Sequence, residues 1–131
     1  MDLFIQRPDF SECLTKDNVS LDEALKIFEE HDWQSEIALF NKLINAKEDH
    51  CPAHFGLRSD SDSFLSVSFY QDKEYFMNYE YKSKLTIFGI TLPFKITRSK
   101  SLSTEGGVKE IIAVIKLHFA NNTEEILKGC Q

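Results

Sequence analysis

The first regular hydrophobic pattern of the chain starts after Ser20 and has the period of an α-helix. Its apolar residues recur at the spacing of one helical face: Leu21, Ala24, Leu25 and Phe28. Ser20 and Glu23 form a capping box, in which the hydroxyl accepts from a backbone N–H at the helix start and the carboxylate reaches back. The pattern predicts a helix that begins at Ser20 and ends near His31.

A second helical pattern follows after a very short break. Its apolar stripe consists of Trp33, Ile37, Phe40 and Ile44. The stripe predicts a helix over residues 33–47, with Asp32 or Ser35 as its N-terminal cap. Two helices joined by so short a connection are expected to pack as an antiparallel or steeply crossed pair.

The hydrophobic period changes from helical to alternating after Pro52. Residues 54–58, 64–70 and 75–81 alternate apolar and polar positions, as half-buried strands do. The serine- and aspartate-rich residues 59–63 and the polar residues 71–74 predict turns between them. Strands joined by such short turns form an antiparallel meander.

The last third of the chain is less regular. Residues 85–97 favour strand, but Gly89 and Pro93 interrupt them, which predicts one bent edge strand or two short ones. Residues 98–101 are expected to form a polar loop.

A third helical stripe runs from Val108 to Phe119. Ser103 or Thr104 is expected to cap this helix, and Gly106 falls in its first turn. A final helical turn is expected over residues 123–129. Residues 1–19 show no clear period and are expected to be irregular.

These elements predict a single α+β domain over residues 1–131. Its centre is an antiparallel meander of about four strands, with two N-terminal helices and one or two C-terminal helices packed on one face. This arrangement leaves the other sheet face, or an edge, accessible.

Charge is distributed unevenly along the chain. Residues 1–62 contain 14 acidic and six basic side chains, a net charge of −8, whereas residues 63–131 contain seven acidic and nine basic ones. Phosphate backbones repel such a chain, so nucleic-acid binding is disfavoured. A basic protein partner is attracted, although acidic surface also serves solubility alone.

The N-terminus and the cysteines indicate a cytoplasmic protein. The start is acidic and its apolar run is three residues long, unlike a secretory signal. Apolar runs elsewhere are too short for a membrane span. Three widely spaced cysteines (Cys13, Cys51 and Cys130) argue against a disulfide framework.

The most chemical-looking segment contains His50, Cys51 and His54. Zinc sites need three or four ligands, and no second Cys/His pair is present. The segment is therefore interpreted as the end of a helix, and no metal or cofactor is expected. Asp60 and Asp62 are weak cation ligands and typical turn residues. No glycine-rich phosphate loop or nucleophile motif is present, so no enzymatic activity is predicted.

The order of elements resembles the small single-domain immunity proteins of bacterial contact-dependent and polymorphic toxin systems. The resemblance rests on two short acidic helices, the entry through Pro52 into a serine/aspartate turn, the meander of residues 65–81 and one closing helix. It implies a cytoplasmic inhibitor that binds and neutralises a cognate toxin, such as a basic nuclease.

The hypothesis places the contacts with the toxin on acidic side chains of the helix pair and the turns. These candidate contact residues are Glu29, Glu30, Asp32, Glu36, Asp60, Asp62 and Asp72. A tyrosine-rich hairpin, Tyr70–Tyr81, is interpreted either as a half-buried sheet face or as part of a protein interface.

Two other functions remain open at this point. One is a small-ligand-binding or enzymatic domain with a cavity between sheet and helices, using Cys51, His54 and Tyr79. The other is an adaptor that forms a homodimer through an edge strand such as residues 85–97, so the protein is expected to be a monomer or a weak homodimer.

Overall fold

The computed structural model describes residues 1–10, 13–71, 74–102 and 107–129. They form an α+β fold with a six-stranded antiparallel sheet in the order β2-β1-β3-β4-β5-β6. The strands are β1 (Asp2–Gln6), β2 (Cys13–Lys16), β3 (Ala53–Arg58), β4 (Phe64–Gln71), β5 (Glu74–Ile87) and β6 (Ile90–Leu102). The helices are α1 (Leu21–Glu30), α2 (Trp33–Asn45), α3 (Val108–Phe119) and α4 (Thr123–Lys128).

The helices pack on one face of the sheet, where alternate strand residues form the core. This face carries fully buried side chains from the four central strands: Leu3, Ile5, Phe55, Leu57, Leu65, Val67, Met77 and Tyr79. Phe28 of α1 and Ile111 and Ile115 of α3 complete the same cluster. The period-2 alternation of residues 53–81 therefore determines which side chains meet the helices.

Two strands occupy residues 2–6 and 13–16, so the predictions of an irregular N-terminus and of about four strands are wrong. Leu3 and Ile5 are buried, while Phe4 lies between them on the other face. Because Phe4 is also apolar, the alternation reads in the sequence as a short continuous apolar run. β1 lies beside β3 in the sheet, although β2, α1 and α2 come between them in the sequence.

β5 and β6 form a long hairpin whose turn, at Phe88 and Gly89, divides residues 85–97 between two strands. This agrees with the second of the two predicted alternatives, except that both strands are long. The loop predicted for residues 98–101 is wrong, because Arg98, Ser99 and Lys100 pair with β5. They are hydrophilic because β6 is the edge strand and is largely solvated. Pro93 lies in this edge strand, as its missing N–H predicts.

The predictions for the helices agree with the structure at most boundaries. The Ser20 hydroxyl accepts from the Glu23 N–H at the start of α1. The caps predicted for α3, Ser103 and Thr104, lie outside the described residues, as does Gly106. Among residues 1–10, 13–71, 74–102 and 107–129, no helix is long and apolar enough to cross a membrane.

The sheet face away from the helices, called here the open face, is partly covered by aromatic side chains. Phe4 stacks on Phe64 with ring centroids 5.6 Å apart and planes within 5°. Arg58 lies over the Phe64 ring. Gly56 lies directly beneath Phe4, and a Cβ atom at Gly56 would overlap the Phe4 ring. Only glycine lets the Phe4 ring lie flat on the sheet at this point.

Gly56→Ala is expected to displace the Phe4 ring and to lower the free energy of unfolding by about 1 to 3 kcal/mol. Urea denaturation of the purified protein measures the change. Gly129→Ala is the matched control, because a Cβ there meets only an ordinary 3.5 Å contact with a backbone oxygen. An equal loss in both variants would contradict the overlap with Phe4.

A buried histidine connects α3 to the sheet. The Nε2–H of His118 donates to the Leu57 carbonyl at 3.0 Å, and Nδ1 is buried with no hydrogen-bond partner among the described residues. Burial lowers the pKa of His118, and it lowers the pKa of His54 as well. Burial therefore disfavours the protonated form of both imidazoles in the folded state.

The free energy of unfolding is expected to fall as the pH drops below about 6.5, the ordinary histidine pKa. Below this pH the histidines of the unfolded state bind protons more readily than the buried His118 and His54 of the folded state, so acid favours unfolding. His118→Gln should reduce the difference between denaturation curves at neutral and mildly acid pH, with His54 supplying the remainder. An unchanged difference would remove His118 as its source.

Candidate functional site

The structure separates the predicted contact residues into two groups at opposite ends of the sheet. Glu29, Glu30 and Asp32 lie where α1 meets α2, near Phe69 at the far end of β4. Asp60 lies in the turn that leads into Phe64, at the start of β4. Phe64 and Phe69 are five positions apart along the strand, a distance of about 17 Å. The acidic side chains therefore do not form one continuous surface.

The first group, Glu29, Glu30 and Asp32, is called here the acidic corner. All three side chains are exposed. The Asp32 carboxylate caps α2 by accepting from the Ser35 backbone N–H at 3.1 Å and from the Ser35 hydroxyl at 2.6 Å. These hydrogen bonds lower the pKa of Asp32, so its charge persists into acid. The cap fixes Asp32 relative to both helices.

Trp33 anchors the acidic corner to the core. Its ring stacks on Phe69 at 4.1 Å with planes 12° apart. Its indole Nε1–H donates to the Phe28 carbonyl at 2.9 Å, near the end of α1. One side chain therefore fixes the end of α1, the start of α2 and the sheet together, and the corner has a defined shape before any partner arrives.

Glu36 is not part of the surface, although it was among the predicted contact residues. Its side chain is 5% exposed and accepts from Arg7 Nε at 3.0 and 3.3 Å. His31 Nε2 lies 3.5 Å from Glu36 Oε1, and the His31 ring packs against Trp33. Glu36 therefore ties α2 to the segment after β1, and we exclude it from the contact set.

The sequence contained a signal for the burial of Glu36. Trp33, Ile37 and Phe40 define the apolar stripe of α2, and position 36 lies beside that stripe, three residues after Trp33. A carboxylate so placed needs a cationic partner. Arg7 is 29 residues away in sequence, so the partner was not identifiable without the fold.

The second acidic group is bound to the long hairpin. Asp62 Oδ2 accepts from Lys82 Nζ at 3.0 Å, and this hydrogen bond lowers the pKa of Asp62. Asp60 is exposed beside it, and the two carboxylates line a cavity of about 530 Å³ together with Lys95. The lysines neutralise much of the negative charge here. Asp72, the remaining predicted contact residue, lies outside the described residues.

The segment with His50, Cys51 and His54 has structural partners of its own. His54 Nδ1 is 2.8 Å from the Ser68 hydroxyl on the open face, and His50 Nδ1 is 2.8 Å from the Glu48 carbonyl. Burial, with a contribution from Asp9, raises the pKa of the Cys51 thiol, which disfavours the nucleophilic thiolate.

The residues proposed for a ligand-binding or enzymatic site do not converge. Tyr79 is buried on the helix face, where its hydroxyl bonds Thr123, whereas His54 lies on the open face. In the ranges that the structure describes, no three His, Cys, Asp or Glu side chains are grouped as metal ligands would be.

Comparisons with known proteins were made at three levels. No protein-family model matches the chain, and no curated protein sequence or solved structure does so either.

Arg7→Met is expected to lower the free energy of unfolding by about 2 to 4 kcal/mol, because it leaves the Glu36 carboxylate buried without its cation. Glu29→Gln, an exposed carboxylate on the neighbouring helix, should change it by less than about 0.5 kcal/mol. Urea denaturation of both variants against the native protein measures the difference. Equal effects would show that the Arg7–Glu36 pair adds nothing to folding.

Proposed function

We propose that this protein is a cytoplasmic binding protein without catalytic activity, of the immunity-protein kind, that captures and neutralises a basic toxin domain. The observation that carries the proposal is the acidic corner. Glu29, Glu30 and Asp32 are exposed together on a scaffold that Trp33 and the Arg7–Glu36 pair hold in place.

The electrostatics of the acidic corner suit capture of a basic partner. Three carboxylates within four residues attract a cationic surface, which raises the rate of encounter at low ionic strength. Because Asp32 already caps α2, its carboxylate loses little conformational freedom on binding. A rigid corner therefore loses less side-chain conformational entropy when the partner binds.

The rim of the corner supplies apolar surface for the same contact. Leu25, Ile27 and Trp33 are partly exposed at the helix pair, and they pack against the core from its outside. Charged groups set orientation and rate in protein complexes, while aromatic and aliphatic anchors slow dissociation. The helix pair offers both kinds of group side by side.

Glu29→Lys combined with Glu30→Lys is expected to weaken binding to the toxin at least about tenfold, mainly through slower association. The partner for the measurement is the product of the adjacent gene, co-expressed and captured with the tagged protein. Binding kinetics at two salt concentrations then show whether the native association rate falls with ionic strength, as steering requires.

Glu48→Lys combined with Glu124→Lys is the matched control. Both residues are exposed, and the pair changes the net charge by the same amount away from the acidic corner. Native affinity in the control, with loss in the corner variant, supports a local contact. Equal loss in both variants would leave only a general charge effect, and native affinity in both would overturn the corner as the site.

A further inference from the structure

Residues 81–98 form a two-stranded arm that extends beyond the rest of the sheet. β4 pairs with β5 only up to Glu80, whereas β5 and β6 continue to pair as far as Ile87 and Ile90. The arm projects roughly 20 Å beyond Phe64, the first residue of β4. Cross-strand contacts stiffen it, including a 2.6 Å hydrogen bond from Arg98 Nε to the Ser83 hydroxyl.

The arm differs sharply in charge from the rest of the chain. Residues 81–102, which are the arm and the remainder of β6, contain five basic side chains and no acidic one: Lys82, Lys84, Lys95, Arg98 and, beyond the arm, Lys100. The other residues contain ten basic and 21 acidic side chains. A positive arm therefore projects from a strongly negative body.

The tip of the arm is apolar, and its turn holds an aromatic residue in an unfavourable backbone conformation. Phe88 is 98% exposed, and Ile87, Ile90 and Phe94 are exposed around it. Phe88 and Gly89 both have positive φ, as a two-residue type I′ turn requires. Asn-Gly is the favoured pair in such turns, and a bulky aromatic residue at positive φ is strained. An exposed aromatic residue held at a local cost indicates a contact outside the monomer.

A groove on the open face has the complementary character. It has a volume of about 350 Å³, and Phe4 contributes its main apolar surface. Asp2 and Asp17 place two carboxylates at the same groove, together with Arg58. The groove thus offers apolar surface and negative charge to a basic, aromatic-tipped ligand.

The positions of arm and groove match through a two-fold axis. The pairing of Asp2 with Arg58, of Arg58 with Phe64 and of Phe64 with Glu80 places the groove at the end of the sheet from which the arm leaves. The two features lie at opposite edges, β1 and β6. Along the strands the Phe88 tip lies roughly 20 Å beyond the level of the groove, so the line from tip to groove runs obliquely across the sheet. A two-fold axis perpendicular to this line at its midpoint places each tip opposite the groove of the other copy.

We propose that two copies of this chain associate by exchanging arms, with the Phe88 tip of each arm in the Phe4 groove of the other. Lys84 and Lys95 then approach the partner's Asp2 and the partner's Asp17. The acidic corner lies near Phe69, at the end of the sheet away from the arm and the groove, so it stays accessible in the pair. The inference therefore does not depend on the proposed toxin contact.

The charge pattern favours a second copy over an anionic membrane as the occupant. A lipid surface would also accept a basic arm with an apolar tip. The body of the chain, with its excess of 11 acidic side chains, would be repelled by that surface, whereas the same acidic body attracts the arm of a second copy.

The first test replaces Phe88 by Asn, which suits the turn better. Sedimentation velocity over a wide concentration range should show the native protein as a monomer–dimer equilibrium and the variant with a dissociation constant at least about tenfold higher. The thermal midpoint of the variant at a concentration where both are monomeric should be equal or higher, because Asn-Gly relieves the strained turn. Association lost together with the fold would not satisfy this expectation and would overturn it.

The second test reverses the charges on each side separately. One variant carries Lys84→Glu and Lys95→Glu in the arm, and the other carries Asp2→Asn and Asp17→Lys in the groove. The Asn side chain at position 2 retains an oxygen for the Asn18 N–H, which Asp2 now accepts. Each variant alone should be monomeric, while an equimolar mixture should form a heterodimer, because both arm–groove contacts are then complementary.

The remaining outcomes contradict self-association. A native protein that stays monomeric at the highest concentration, or a mixture of the two charge variants that does not dimerise, overturns the proposal. Vesicles of anionic phospholipid provide the last comparison by co-sedimentation. Binding of monomeric native protein to the vesicles, lost in Phe88→Asn, would assign the arm to a membrane instead.

Discussion

The contact between Trp33 and the sheet is the interaction on which the rest of this structure depends. Trp33 stacks on Phe69, and Phe28 meets both Phe55 and Phe69. Aromatic pairs at such separations contribute about 0.5 to 1.5 kcal/mol each beyond the area that they bury. Because the two helices are short, their position comes from this cluster rather than from helix propensity.

That cluster also explains how an acidic surface can be rigid. The carboxylates of the corner repel one another, so a helix junction carrying them gains little from its exposed side chains. The helix junction is ordered instead by the buried contacts beneath it, namely the indole hydrogen bond to the Phe28 carbonyl and the ion pair between Arg7 and Glu36. Burying that pair costs desolvation, and the gain is one fixed arrangement of β1 and α2.

Local patterns in the sequence predicted the elements whose partners are close along the chain. The capping box of α1, the stripe of α2 and the alternation of β3 to β5 are all present in the structure. β1 was not predicted, because Phe4 is apolar on the solvated face and hides the alternation. The outer part of β6 was not predicted, because an edge strand is as hydrophilic as a loop. Both strands are defined by pairing, which a local pattern does not contain.

The candidate site was predictable only in its charge. Acidic residues near the helix junction were identified from the sequence, but their division into two groups depends on the length and direction of β4. Glu36 illustrates the difference, because its partner Arg7 is brought close by the pairing of β1 with β3. The projection of the arm likewise depends on where β4 begins, because β4 has no residue to pair with β5 beyond Glu80. The alternation of residues 81–98 by itself does not differ from that of a strand inside a sheet.

The topology of β1 has a consequence for how the chain reaches this structure. β3 to β6 are joined in sequence order by short turns, so their ladders close small loops and form readily. β1 has to wait for a strand that begins about 50 residues later in the chain, and its ladder closes a loop that contains both α1 and α2. A non-local pairing of this kind raises the contact order of the fold and slows it. We therefore expect the meander of β3 to β6 to form before β1 pairs with β3.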